Sequence, residues 1–132
     1  MIELTTQKII EIHDFVILNT GGTRGVLYSG TIDHLVYKLN KKNDVFDKAS
    51  LTLHCIITEH PFYDGNKRTG FQLADLLLRD ERCHIHSTKE KTQNFLVRIA
   101  EYKCPFEKIN EWLKKNARFQ PQETHQLRLQ QS

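Results

Sequence analysis

His60-Pro61-Phe62-Tyr63-Asp64-Gly65-Asn66-Lys67-Arg68-Thr69-Gly70 lies between two apolar segments, Ala49-Leu53-Ile56-Ile57 before it and Phe71-Ala74-Leu77-Leu78 after it. Both segments repeat at helical spacing, so the stretch reads as the connection between two buried helices. Pro61 disfavours helical geometry at His60, which predicts that the first helix ends there. His60 follows Ile56 by four residues and Ile57 by three, a spacing that points its ring along the buried face and toward the loop. Gly65 allows a positive φ, and Asn66 reads as the cap of a helix that starts at Lys67.

The chemistry follows from that layout. The first turn of a helix has free N–H groups and the positive end of the dipole, and here Lys67 and Arg68 stand beside it. This is an anion site, most naturally for phosphates. Asp64 can hold a divalent cation, since Mg²⁺ takes one or two carboxylates together with phosphate oxygens. His60 is then a base facing a metal–nucleotide, which points to phosphoryl or nucleotidyl transfer. Taken singly, these residues are ordinary: a histidine before a proline ends a helix, and Asn-Lys-Arg starts one in solvent. The combination between two core helices is what carries the reading.

Outward from the motif, Thr5 or Thr6 can cap a first helix with Ile9, Ile12 and Val16 on its apolar stripe, stopped by Gly21-Gly22. His13 lies near that stripe and reads as a hydrogen-bonded packing residue. Thr23 to Gly30 is less regular, with the apolar run Val26-Leu27-Tyr28 between two glycines. Thr31 is expected to cap the next helix, whose apolar face holds Ile32, Leu35, Val36 and Leu39. Lys41-Lys42-Asn43-Asp44 is a polar linker, and Asp47 is expected to open the core helix, in which His54 reads as structural.

After the motif helix, Asp80-Glu81-Arg82 forms a charged turn. Cys83-His84-Ile85-His86 raises a zinc reading, with Cys104 as a fourth ligand. Its spacing is not a standard zinc pattern, however, and ligands on adjacent residues make poor geometry. Ser87 with Glu90 has the form of a capping box for a helix carrying Phe95, Leu96 and Ile99. Pro105 is placed to start a last helix with Phe106, Ile109, Trp112 and Leu113 on its buried face. From Gln120 the chain is rich in glutamine and short of apolar residues, so residues 120–132 read as a disordered polar tail to a domain spanning 1–119.

The 132 residues suit one domain with its own core. With 39% hydrophobic and 27% charged residues, composition is that of a soluble globular protein. No apolar run reaches membrane-spanning length, and Met1-Ile2-Glu3-Leu4 lacks the form of a signal peptide. Cys55, Cys83 and Cys104 are odd in number and lack C-x-x-C spacing, which fits reduced thiols in a cytoplasmic protein. A net charge of +3 permits an acidic partner. The basic residues are scattered without alternating aromatics, so nucleic acid is not an expected partner.

His60 to Arg68 fills the pattern H-P-F-x-D/E-G-N-G/K-R completely, and by it the chain resembles the Fic/Doc family, from about Leu4 to about Phe119. The resemblance implies an all-α Fic fold, a helical bundle around a central motif helix with a short β-like flap. It implies ATP and Mg²⁺ as cofactors and a hydroxyl of a target protein as acceptor. By position, His60 resembles the base, Phe62 the hydrophobic pin of the loop and Asp64 the metal-coordinating acid, while Gly65, Asn66, Lys67 and Arg68 resemble the phosphate cradle. Val26, Leu27 and Tyr28 fall where the family has its flap, an extended edge that holds the target by main-chain pairing; from the residues alone they read equally as a plain loop. Doc-like chains often have Arg-Asp where Leu27-Tyr28 stands.

Two positions bear on which group is transferred. Members that transfer AMP usually have glycine in place of Lys67 and a second arginine in place of Phe71. The Doc branch has the lysine and is associated with ATP bound in reverse, so that the γ-phosphate moves. The expectation is therefore a Doc-type toxin that phosphorylates a protein, with a translation elongation factor as target. AMP transfer is the alternative within the class, and a catalytically silent nucleotide-binding module the alternative outside it. No segment matches the family's inhibitory pattern S/T-x-x-x-E-G/N, so restraint is expected from a separate antitoxin protein.

Overall fold

Two helices of equal length, α3 (Val45–Glu59) and α4 (Asn66–Asp80), form the centre of the molecule and are joined by the motif loop. The computed structural model describes residues 2–102 and 104–120, and the expected tail from 121 onward lies outside them. In chain order the remaining elements are α1 (Thr6–Thr20), α2 (Ser29–Leu39), β1 (Cys83–Ile85), α5 (Lys89–Tyr102), α6 (Phe106–Asn116) and β2 (Ala117–Phe119). The class is all-α, as expected, with one small sheet added.

The central pair is apolar on two sides, and each side nucleates its own core. Cys55 and Ile56 of α3, with Leu73 and Leu77 of α4, pack with Ile9 of α1, Ile32, Leu35 and Leu39 of α2, and Phe62 of the loop. Leu53 and Ile57 of α3, with Ala74 and Leu78 of α4, pack with Phe95, Leu96 and Ile99 of α5 and with Ile109 and Leu113 of α6. Each fully buried aliphatic side chain stabilises the fold by about 1.5–3 kcal/mol relative to exposure. Phe95 stacks on Trp112 at 3.9 Å between ring centroids, which ties α5 to α6. Gly70 lets α3 and α4 approach: a Cβ there would lie 3.2 Å from Ile57 Cγ1 and 3.5 Å from Ile56.

The start of α1 is as expected, whereas later helix starts differ from the sequence expectation by one to three residues. Thr5 caps α1 through its hydroxyl, which accepts from the Lys8 N–H. α2 begins at Ser29, so Thr31 lies inside it. Asp44 rather than Asp47 caps α3, accepting from the Phe46 and Asp47 N–H groups. Thr88 rather than Ser87 receives the first-turn N–H of α5, from Lys91 at 3.1 Å. At α3 and α5 a neighbouring residue with the same capping chemistry competes, and the backbone path decides which is used; α2 follows Tyr28 and has no side-chain cap.

Cys83, His84 and Ile85 pair antiparallel with Phe119, Arg118 and Ala117. The segment weighed for zinc is thus a strand, in which Cys83 and Ile85 pack toward the second core. Gln120 extends the pairing, donating its N–H to the Arg82 carbonyl at 2.8 Å.

Candidate active site

The connection between α3 and α4 is built from two left-handed residues. His60, at φ 48 and ψ 60, closes α3 at the residue before Pro61. Gly65, at φ 75 and ψ 20, opens α4. The first is a non-glycine residue in a sparsely populated region, a strain found most often at functional positions. It also corrects one expectation: His60 leaves the helical path, so its ring is exposed rather than laid along the buried face. The same backbone turn carries the ring to the mouth of α4.

Between these two residues the loop is fixed from four directions. Phe62 is buried to 1% exposure and serves as the apolar anchor. The Asn66 side chain bridges its backbone, Oδ1 accepting from the Phe62 N–H at 3.1 Å and Nδ2 donating to the Phe62 carbonyl at 3.0 Å. Asn66 is therefore the brace of the loop and the first residue of α4, not its cap. Val26 forms an antiparallel bridge to Phe62, and the Leu27 and Tyr28 N–H groups donate to the Pro61 carbonyl at 2.7 and 3.0 Å. Along α1, His13 stacks on Phe62 at 3.7 Å and bonds the Asp64 carbonyl through Nε2 at 2.7 Å.

A cleft of about 300 Å³ results, lined by His60, Tyr63, Asp64, Gly65, Asn66, Lys67 and Arg68 with Ile57 and Ala100 behind. The expected base, acid and cradle residues are thus brought to one place. Asp64 Oδ2 accepts from the Thr23 N–H at 2.7 Å. That bond, with lesser help from Arg68 and His13, holds its carboxyl below the usual carboxylate range and keeps it ionised. Asp64 can therefore hold a divalent cation, and among the described residues no cluster of three His, Cys, Asp or Glu side chains forms a metal cage. One carboxylate with the remaining positions left to phosphate and water suits Mg²⁺.

The first turn of α4 suits the phosphates. Gly65 offers no side chain to cap it, no acidic residue stands in the turn, and its first N–H groups have no carbonyl of their own helix to bond. Lys67 and Arg68 are exposed beside it, and Arg68 Nη1 donates to the Thr20 carbonyl at 3.2 Å. Arg68 also borders a second, more apolar groove of about 600 Å³, lined by Phe15, Phe71 and Leu96 among others. Phe71, where a second arginine would stand, packs against the second core.

The three residues expected as a flap lie beside the loop, but their main chain already pairs with it. Leu27 and Tyr28 leave their side chains exposed while their N–H groups are occupied by Pro61. Sequence reasoning missed Thr23 and the contact from His13. The first acts through a backbone N–H, which no residue type reveals. The second had a signal, a histidine near an apolar stripe, without a visible partner.

Among the described residues no helix is long and apolar enough to cross a membrane. The chain matches no curated protein. Residues 27–78 match the model of the Fic/DOC family. That is about two fifths of the chain, running from the bridge region through α2, α3 and the motif loop into α4. The chain is thus similar to the Fic/DOC family over the segment that carries His60, Asp64 and the open N-terminus of α4.

Proposed function

We propose that this chain is a Fic-type transferase of the Doc kind, moving the γ-phosphoryl group of Mg·ATP onto a hydroxyl of a target protein. The observation that carries the reading is the convergence of His60, Asp64 and the uncapped first turn of α4 on one cleft. His60 stands exposed at that cleft, where its ring can accept the proton of an incoming hydroxyl. The first-turn N–H groups, with Lys67 and Arg68, receive the phosphates. Asp64 holds the cation, and bound Mg²⁺ would neutralise charge on the phosphate oxygens.

Phosphoryl rather than AMP transfer is supported by two residues. Lys67 adds bulk and charge to the cradle where AMP-transferring members have glycine. Phe71 is packed rather than presented as a second clamp. Resemblance to the Doc branch extends the reading to a toxin restrained by a separate antitoxin and directed at a translation elongation factor. The free thiols of Cys55, Cys83 and Cys104 support a cytoplasmic setting.

Host lysate incubated with the chain and with ATP labelled at either the α or the γ position tests this directly. The expected result is γ-label on one protein, lost by at least about 100-fold in His60→Ala with no change in melting. α-Label on protein would instead establish AMP transfer. ATP binding with neither label transferred would make the chain a silent nucleotide-binding module. Full activity in His60→Ala would remove His60 as the base.

A further inference from the structure

His13 is fully buried, although it belongs to a helix outside the family-matched segment. Its ring lies face to face with Phe62, 4° from parallel. Because a carbonyl can only accept, the 2.7 Å contact with the Asp64 carbonyl places the proton on His13 Nε2. The other nitrogen, Nδ1, is buried without a hydrogen-bond partner, and Asp14 Oδ1, at 4.0 Å, is too far to supply one. Packing against Phe62 alone would be met by a phenylalanine or a leucine, with no nitrogen left dry. What those residues lack is the N–H donated to Asp64.

Asp64 is consequently gripped at both ends from the α1 side. The Thr23 N–H, just past the glycine pair that ends α1, fixes the carboxylate. His13, two helical turns earlier, fixes the peptide. The loop is pressed close against this face: a Cβ on Gly65 would lie 2.9 Å from Ile17 Cδ1 and 3.9 Å from His13 Nε2. We propose that His13 is a positioning residue for Asp64, its Nε2–H setting the peptide so that the carboxylate meets a divalent cation in the cleft. The inference rests on the proposed Mg²⁺-dependent transfer and adds to it a residue that never touches substrate.

The test compares wild type with His13→Phe, which keeps the stack and removes the donor, and with His13→Gln, which supplies an N–H without the stack. In γ-phosphoryl transfer followed against Mg²⁺, His13→Phe should need about tenfold or more Mg²⁺ for half-maximal rate. Its KM for ATP at saturating Mg²⁺ should stay near wild type, and His13→Gln should recover most of the Mg²⁺ response. A wild-type Mg²⁺ response in His13→Phe, or equal losses in both variants that track melting, overturns the proposal. Should His13→Phe fail to fold, His13→Met against His13→Gln gives the same contrast of donor with no donor.

Amide exchange at Leu27, Tyr28 and Tyr63, whose N–H groups bond between the 25–28 segment and the motif loop, decides the matter without any transfer. Faster exchange there in His13→Phe, with α2 unchanged, supports the positioning role, and unchanged exchange overturns it. If wild type transfers nothing at any Mg²⁺ concentration, the proposed function falls and the exchange result alone judges His13.

Discussion

The two central helices have the same length and pack against each other, yet their N-termini are finished in opposite ways. At α3, Asp44 turns its carboxylate back onto the Phe46 and Asp47 N–H groups at 2.7 and 3.2 Å. Asp47 adds a second negative charge in the first turn and accepts from Asn110 Nδ2 at 3.0 Å. At α4, the cap is Gly65, no acid follows, and Lys67 and Arg68 place positive charge beside the positive end of the dipole. Cations at that end are unfavourable by roughly 0.3–1 kcal/mol each at an exposed position. The difference teaches that an end completed by its own chain serves folding, whereas an end left open and charged in the wrong sense gains nothing from its own chain and fits the phosphate binding proposed for it.

Substitutions at the two ends should therefore separate binding from stability. Arg68→Ala should have the larger effect, weakening ATP binding about tenfold or more through loss of a charge-assisted contact, with little change in melting. Calorimetric titration and a melting curve measure both quantities. If the variant melts well below wild type while its ATP affinity stays at the wild-type value, the guanidinium bond to the Thr20 carbonyl is its main role, and the contrast between the two helix ends is broken.

Asp44→Ala should show the reverse pattern. Loss of the cap should destabilise the fold by about 1 kcal/mol while ATP affinity stays at the wild-type value. Denaturant unfolding measures the first and the same calorimetric titration the second. An affinity change of more than a few-fold would mean that the α3 terminus communicates with the site.

The smallest expected effect is the titration of Asp64. Its folded pKa lies below the ordinary value of 3.8, chiefly because the Thr23 N–H bonds the ionised form. Between those two values the unfolded chain binds more protons than the folded one. The Thr23–Asp64 contact therefore contributes fully above the ordinary carboxylate range and is lost as pH falls through the folded value. Carboxyl NMR should find Asp64 titrating below 3.8. A normal or raised value would show that the grip on this carboxylate does not persist in solution.

The parts of the molecule read most securely from sequence are those set by neighbours along the chain. Helical spacing located both central helices, Pro61 marked the end of α3 at Glu59, and Gly65 marked the left-handed entry to α4. The capping residues were less legible. Thr31, Asp47, Asn66 and Ser87 each had the right chemistry for a cap, but the backbone path chose Tyr28, Asp44, Gly65 and Thr88 as the residues before the helices. The β1–β2 pair was not anticipated, because two three-residue strands carry too little alternation to register.

Sequence by itself determined the inventory of the candidate site: an imidazole, a carboxylate and a cationic helix start within nine residues, spaced by local backbone rules; that the helix start is uncapped was decided by the fold. Only the tertiary structure decided how that inventory is held. The left-handed turn at His60 brings its ring out to the cleft, and Asp64 is fixed by partners 41 and 51 residues away, Thr23 and His13. The reason is physical: helix periodicity and turn preference act over a few residues and leave a trace in composition. A backbone N–H or a buried ring nitrogen finds its acceptor only when the core closes around it.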